Sequence, residues 1–231
     1  MDCLIIVSGP SGCGKTSIVR SLYRQELAVE ILELLPECAT TALSVDAKYP
    51  DRALKGSMCD RNGRPIVPLD VIDADPANHK CIIFHNALNR LTDNSIKALS
   101  EDAALLKFLA RGPRKIVLIN IKTSKAQLVK FYTHRSFGRE GIGLFKLLSA
   151  VACMRLGKVR TAIKYGYTGF AQQLDSNWMQ IQNEVLEHVR ENRPETQFMV
   201  LDVRPITNEE GVHGFSLERV KIFDGLEPSV F

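Results

Sequence analysis

Short apolar runs alternate with stretches of helical spacing along this chain. Five runs have the length of a buried strand: residues 3–8, 41–45, 81–84, 115–121 and 197–203. Apolar residues recur at helical spacing over residues 16–24, over 87–110, after Ser124 and over 174–189. This alternation predicts an α/β fold with a parallel sheet covered on both faces and ligands at the carboxyl ends of the strands.

The chain is predicted to form a single domain over residues 1–231, because no repeat or Pro/Gly/Ser-rich linker divides it. Residues 47–80, rich in Asp, Pro, Asn, Gly and Arg, interrupt the regular pattern and are expected to be an irregular insert. Trp178 lies on the apolar stripe of the last predicted helix, so we expect it in the core and not as a stacking platform.

Composition places the chain among ordinary globular proteins, with 45% hydrophobic and 24% charged residues. No apolar run approaches the ~20 residues that a membrane-spanning helix requires, and the amino terminus lacks the basic and apolar regions of a signal peptide. We therefore expect a cytoplasmic protein. The six cysteines form no C-x-x-C pair, which favours reduced thiols over a disulfide frame or a zinc site.

Positive charge is concentrated in the middle of the chain. Residues 107–164 contain fourteen Lys and Arg residues against one acid, Glu140, although the whole chain carries only +4. Such a segment favours contact with polyanions, either nucleotide phosphates or a nucleic-acid backbone. Unrelated solvated helix faces are the alternative.

One motif carries most of the candidate chemistry. The pattern G-x-x-x-x-G-K-S/T is satisfied at every fixed position, between a predicted strand and a predicted helix, by Gly9, Pro10, Ser11, Gly12, Cys13, Gly14, Lys15 and Thr16. Glycines allow consecutive N–H groups to surround phosphate oxygens, and the helix amino terminus adds partial positive charge. We expect Lys15 to reach the β- and γ-phosphates of ATP, Thr16 to bind Mg²⁺ and Ser17 to belong to the same binding segment.

At these residues the chain resembles the P-loop nucleoside triphosphatases, in the Gly-Pro-Ser-Gly-x-Gly-Lys form common among nucleotide kinases such as guanylate kinase. Residues 115–121, followed by Ser124, Leu128, Arg135 and Arg139, are similar to the strand, turn and arginine-bearing lid helix of those kinases. The resemblance implies a three-layer P-loop fold with a helical lid and an ATP-dependent phosphotransferase, with residues 122–170 as the basic lid and acceptor-binding region. It also implies that Arg135 and Arg139 stabilise charge on the transferred phosphoryl group; ordinary surface arginines are the alternative.

The chain departs from the kinase pattern in two places. His85 and Asn86 stand at the Walker B position, where an Asp is usual, so a second metal-associated carboxylate comes from elsewhere or Mg²⁺ is bound through water. Residues 38–41 are similar to the guanylate kinase segment after the first helix, but Ala42 replaces the expected arginine, which argues against plain GMP as acceptor. No G-x-T-x-x-K-D signature is present, which disfavours a GTPase switch.

Asp46 is the leading candidate for the base that takes a proton from an acceptor hydroxyl. It follows the second predicted strand directly, so it would project from the sheet edge that carries the P-loop motif. A carboxylate that only caps a turn is the alternative. Asp51, Asp73 and Asp75, within the insert, are weaker candidates.

The size of the acceptor stays open. Fourteen cations could follow several phosphates, and Tyr165, Tyr167 and Phe170 could stack on bases, although packing beneath a loop is favoured for these rings. The combination is similar to phage-type kinases that phosphorylate hydroxymethyluracil bases. This likeness implies a 5-hydroxymethyluracil base in DNA as acceptor and, for a phage-encoded protein, a location in the host cytoplasm. No single motif carries this likeness. A nucleoside monophosphate kinase and a nucleic-acid-binding P-loop ATPase are the alternatives, and a nucleotide-sensing interaction protein is a third.

Overall fold

The computed structural model describes residues 1–10, 12–87, 99–124, 126–128, 130, 168–208, 211–224 and 227–230. Eight strands form one sheet: β1 (Cys3–Gly9), β2 (Leu43–Asp46), β3 (Tyr49–Ala53), β4 (Cys81–Ala87), β5 (Lys115–Ile121), β6 (Gln197–Asn208), β7 (Gly211–Asp224) and β8 (Glu227–Val230). Their order across the sheet is β3-β2-β4-β1-β5-β6-β7-β8.

The five strands β2, β4, β1, β5 and β6 run parallel to one another and correspond to the five apolar runs of the sequence. The expected parallel sheet is confirmed for these five strands, whereas β3, β7 and β8 pair antiparallel with their neighbours. Only two residues separate β2 from β3 (47–48) and β6 from β7 (209–210). This is too few for the crossover that a parallel pair needs, so each of these two strand pairs is a hairpin. The sheet is therefore mixed, with a parallel centre.

Helices connect the parallel strands. They are α1 (Lys15–Tyr23), α2 (Val29–Leu32), α3 (Lys55–Met58), α4 (Leu69–Ile72), α5 (Ala103–Leu109) and α6 (Thr168–Asn192), with 3₁₀ turns at Glu37–Thr41 and Leu99–Glu101. Of the helix expected over residues 87–110, the described part contains only the 3₁₀ turn and α5, which starts where the Asp102 carboxylate accepts the Leu105 N–H at 3.1 Å. With a mixed sheet and helices between its strands, the architecture is compatible with a three-layer α/β fold.

The core lies along the parallel strands. Every residue of β1 is buried, and so are Trp178, Ile181, Val185 and Val189 of α6. The expectation that Trp178 belongs to the core is thus confirmed. Phe84 of β4 meets Phe108 of α5 edge-on, with ring centroids 5.8 Å apart, which joins this helix to the centre of the sheet.

The strand order creates a crevice next to β1. The connection that leaves β1 runs to β2 on one side of it, whereas the connection that leaves the adjacent strand β5 runs to β6 on the opposite side. Two connections that diverge in this way leave a gap at the carboxyl ends of the strands, and open α/β sheets bind ligands in this gap. The 9–16 loop, between β1 and α1, begins at this gap.

The β6–β7 hairpin is bent by two bulges. Asp202 pairs with Arg219 and Val203 with Leu217, which leaves Glu218 as an extra residue, and His213 is extra in the same way nearer the turn. Bulges bend a hairpin and increase its twist. Phe215, in the half of β7 nearer the turn, consequently comes close to Gly14 of the 9–16 loop, even though β7 lies three places from β1 in the sheet.

The predicted insert, residues 47–80, is partly ordered into β3, α3 and α4, and is therefore less irregular than expected. The Arg20 guanidinium donates to the Gly56 carbonyl at 2.6 Å, and α1 thereby anchors this segment. Of the six cysteines, Cys153 lies outside the described residues and the other five are free thiols, as expected. In the part of the chain that the structure describes, no helix combines the length and hydropathy needed to cross a membrane.

The segment expected to form a lid is described only at its two ends. The predicted helix start at Ser124 is confirmed, because its hydroxyl accepts the Gln127 N–H at 3.3 Å while the Gln127 side chain accepts the Ser124 N–H at 3.1 Å. Arg135, Arg139, Tyr165 and Tyr167 lie outside the described residues. Phe170 falls within α6, but its side chain is not described.

Candidate functional site

The 9–16 loop takes its shape from glycines in the left-handed region. Gly12 has φ 87° and Gly14 has φ 106°, values that side chains other than that of glycine rarely adopt. Gly14 immediately precedes α1 and, because it has no side chain, adds no side-chain cap to this helix. The N–H groups in the first turn of an α-helix point away from the helix carbonyls, so the loop presents a positively polarised helix end at the crevice.

Lys15 folds back across this loop. Its Nζ donates to the carbonyl oxygens of Gly9, at 2.6 Å, and Pro10, at 2.8 Å. The lysine charge therefore lies at the carboxyl end of β1, next to the amino terminus of α1. The side chain is half-buried and contributes to the loop, not to the apolar core.

The loop is tightly packed from below. A Cβ atom placed on Gly9 would approach the Cys13 sulfur to 2.5 Å, so only glycine fits at this position. Cys13 is fully buried, and burial raises the pKa of its thiol. A Cβ atom on Gly14 would lie 3.3 Å from the Phe215 ring, which shows that β7 packs against the loop. Thr16 and Ser17 follow in the first turn of α1 and are half-buried, whereas Ser11 lies outside the described residues.

Asp46 ends β2, as the sequence predicted, and pairs in register with His85 of β4. One carboxylate oxygen accepts the Lys48 N–H at 2.8 Å, and this bond shapes the turn into β3. Within the described residues, no hydrogen bond to the other oxygen is found. Asp46 thus caps a turn and still has an acceptor oxygen, so the two interpretations made from the sequence are compatible.

A chain of hydrogen bonds connects the insert to His85 of β4. The Ser44 Oγ lies 2.7 Å from the His85 Nε2, and the Ser57 hydroxyl lies 2.7 Å from the Ser44 Oγ and 2.8 Å from the Leu54 carbonyl oxygen. A Ser44 hydroxyl that donates to Nε2 leaves the proton of the neutral imidazole on Nδ1. The buried His85 ring is thus held by a hydrogen bond from β2, and Ser57 connects this bond to the insert.

Burial lowers the pKa of His85 to about 4, and the positive charge of Lys15 acts in the same direction, while Asp46 opposes both. As pH falls from 6.5, the ordinary value for this side chain, the unfolded chain binds the proton before the folded protein does. Neutral His85 therefore makes its full contribution to stability above pH 6.5, and this contribution is lost as the pH falls toward 4.

When the pH is lowered from about 7 to about 5, the free energy of unfolding should fall by about 2 kcal/mol less in His85→Gln than in the wild type, since the glutamine amide does not titrate. Urea denaturation of both proteins at the two pH values measures this difference. An equal loss in both proteins would show that folded His85 is protonated without penalty.

Asp46 opens onto a groove of about 710 Å³ between β3 and α4. Asp51, Asp73 and Asp75, the weaker candidates for the base, line this groove as well, so the fold brings all four carboxylates to one place. Asp51 is paired with Lys107 at 2.5 Å and Asp73 with Lys55 at 3.3 Å. Both oxygens of Asp75 accept hydrogen bonds within the 75–78 turn, from the Ala77 N–H and the Asn78 side chain.

An exposed aromatic side chain at this groove was missed by the sequence analysis. Tyr49 of the edge strand β3 is 46% exposed, and its ring lies 4.1 Å from the Arg52 guanidinium carbon and 5.0 Å from the Lys48 ammonium nitrogen. The pair of cations beside an exposed ring can bind an anionic group and stack on a planar one. The only sequence signal for this site is an aromatic residue between two cations in a Pro- and Asp-rich stretch.

The donor set at the 9–16 loop suits Mg²⁺ bound to phosphates. The described residues include no cluster of three or more His, Cys, Asp or Glu side chains able to hold a metal ion. Mg²⁺ needs no such cage, because it is commonly bound by one or two protein oxygens together with waters and phosphate oxygens. The Thr16 hydroxyl in the first turn of α1 is an oxygen ligand of the required kind.

Comparisons of the chain with protein-family models, with curated proteins and with solved structures find no match.

Proposed function

We propose that this protein is an ATP-dependent kinase of the P-loop type, which transfers the γ-phosphoryl group to a hydroxyl of a nucleotide-type acceptor. The observation that carries the proposal is the 9–16 loop, where two left-handed glycines and Lys15 meet the amino terminus of α1 at the crevice beside β1. Backbone N–H groups, a helix dipole and a cation together favour phosphate binding.

In this proposal, Lys15 exchanges its hydrogen bonds to the Gly9 and Pro10 carbonyls for bonds to the β- and γ-phosphates. The residues from Gly9 to Ser17 surround the phosphate groups, and the Thr16 hydroxyl is the protein ligand of Mg²⁺. Bound Mg²⁺ supplies charge neutralisation on the phosphate oxygens. Arg135 and Arg139 remain the proposed lid arginines, by the resemblance stated above.

The acceptor side of the reaction is assigned to Asp46 and its groove. The acceptor hydroxyl donates to the Asp46 oxygen that accepts no hydrogen bond from the described residues, and it transfers its proton there as the hydroxyl oxygen bonds to the γ-phosphorus. The bond from the γ-phosphorus to the bridging oxygen breaks, and ADP leaves with that oxygen. Tyr49, with Arg52 beside it, is the proposed platform for the acceptor base and its phosphate.

Within nucleotide-type acceptors, we propose a 5-hydroxymethyluracil base in DNA, on the basis of the positive charge of residues 107–164, the aromatic residues Tyr165, Tyr167 and Phe170, and the likeness to phage-type kinases. Incubation with γ-labelled ATP and three acceptor pools, namely hydroxymethylated DNA, unmodified DNA and mononucleotides, tests the class. Label in hydroxymethylated DNA alone supports this acceptor, and label in a mononucleotide assigns a nucleoside monophosphate kinase. Label found only in orthophosphate assigns an ATPase and rejects the kinase.

A DNA acceptor also predicts a steep salt dependence of binding. Each phosphate contact releases condensed counterions, so we expect the logarithm of DNA affinity to fall with the logarithm of salt concentration with a slope of about four or more in magnitude. Changing both Lys158 and Arg160, which lie outside the described residues, to alanine should reduce this slope without altering ATP binding. Titrations of labelled DNA across a salt series measure it. Absence of DNA binding at ~50 mM salt would return the acceptor to a small nucleotide.

A further inference from the structure

A second polar cavity, of about 610 Å³, lies between α6 and the strands β5, β6 and β7. Its wall contains Lys122, just after β5, and Trp178 of α6, whose ring lies 4.3 Å from the Lys122 ammonium nitrogen. None of its lining residues belongs to the 9–16 loop or to the groove beside Asp46. The cavity is thus formed by a different set of residues from the proposed kinase site.

Cations outnumber acids around this cavity. The four cationic side chains are Lys122, Arg204, Arg219 and Lys221, against the two carboxylates of Asp202 and Glu218. Glu218 is paired with Arg204 at 2.6 Å, and Asp202 accepts a hydrogen bond from the Asn120 amide at 3.0 Å. Arg219 is exposed and has no ion-pair partner within the described residues. An anion that entered the cavity would meet a net charge of +2, with one guanidinium ready to bind it.

Two residues of the wall have a buried polar atom that makes no hydrogen bond with the described residues. The Asn120 Oδ1 and the Trp178 Nε1 are buried and have no partner within the described residues. Because the Asp202 carboxylate only accepts hydrogen bonds, Asn120 must present its Nδ2 to it, which fixes Oδ1 as the unpaired atom. Buried polar atoms without partners are rare, and a bound ligand or ordered water is a common reason for them.

Lys221 adds an electrostatic argument in the same direction. Its Nζ donates to the Gln182 side chain at 3.0 Å, and desolvation lowers its pKa despite the opposing effect of Asp202. A cation that is partly removed from water gains more from a bound anion than an exposed one does.

We propose that this cavity binds a phosphate monoester, as a site separate from the 9–16 loop. The fork of Arg219 and the ammonium group of Lys221 would contact the phosphate, and the remaining volume would hold the organic part of the ligand. A volume of about 610 Å³ exceeds what orthophosphate needs and lies within the range of sites for small molecules. This proposal does not depend on the kinase activity.

The chain contains a single tryptophan, Trp178, so intrinsic fluorescence reports on this cavity directly. We suggest titrating the Lys15→Ala variant with AMP and with inorganic phosphate at constant ionic strength, because this variant lacks the lysine of the 9–16 loop. The expected result is a saturable change in tryptophan emission with AMP. A matching change with phosphate alone would indicate that the phosphate group suffices.

Arg219→Ala, added to this background, should raise the dissociation constant roughly tenfold or more, since it removes a charge-assisted hydrogen bond. Arg61→Ala, which removes an exposed arginine outside the cavity, is the matched control and should leave the constant unchanged. Isothermal titration calorimetry on the same proteins detects binding that leaves the emission unaltered. Binding that is absent by both methods, or equally strong in the Arg219 variant and the control, would overturn the proposal.

Discussion

Replacing Lys15 with alanine is expected to lower phosphoryl transfer by about a thousandfold or more while the protein stays folded. The Lys15 ammonium group bonds to two loop carbonyls and lies outside the apolar core, so its loss should cost little stability. A preorganised cation at the transferred phosphoryl group stabilises charge that develops in the transition state, and removal of such groups typically costs factors of 10² to 10⁵, as a rough guide.

The measurement is the rate of label transfer from γ-labelled ATP, together with a thermal unfolding curve. Lys80→Ala is the matched control, because Lys80 is exposed at the opposite end of the sheet, just before β4. The control should retain full activity. Unchanged transfer in the Lys15 variant would remove the basis for a phosphate-binding 9–16 loop.

Replacing Asp46 with asparagine should reduce turnover by ~10² to 10⁴ and leave ATP affinity nearly unchanged. The amide preserves the size of the side chain and can still accept the Lys48 N–H, so the turn into β3 is retained. It cannot take the proton of the acceptor hydroxyl. Steady-state kinetics with each substrate varied separates turnover from affinity.

Asp70→Asn is a suitable control for this variant, since Asp70 lies in α4 but does not line the groove. If turnover of Asp46→Asn stays within a few-fold of the wild type, another carboxylate is the base. Asp73 and Asp75 would then be tested, because they share the groove.

The central strands and the place of the 9–16 loop could be predicted from the sequence. Residues 115–121 and 197–203 are apolar runs of strand length, and burial on both faces is the physical cause of such runs. Asp46 was correctly predicted at the carboxyl end of a strand. Because the carboxyl ends of parallel strands lie at one edge of the sheet, this position is on the same edge as the 9–16 loop.

The β6–β7 hairpin could not be predicted in the same way. Leu217 and Val220 both pack against the core, but they are three residues apart, since Glu218 is extra in the bulge. This insertion breaks the two-residue period that identifies a half-buried strand. The contact of Phe215 with the 9–16 loop depends on the same bend and has no local signal.

The contacts around His85 depend on register and not on residue type. Ser44 and Ser57 look like ordinary polar residues, and only the pairing of β2 with β4 and the position of α3 bring them to His85. Tyr49 was missed for a related reason. Its strand β3 contains Pro, Asp and Arg, which indicate a loop, yet an edge strand with an exposed face tolerates all three.

Phosphorus NMR of a reaction with ATP, Mg²⁺ and the acceptor tests the central claim most directly, because it shows where the γ-phosphoryl group goes. The account predicts ADP and a new phosphomonoester in equal amounts, without orthophosphate, and neither product with Lys15→Ala. ADP accompanied by an equal amount of orthophosphate, or ATP that remains intact with every acceptor, would contradict it.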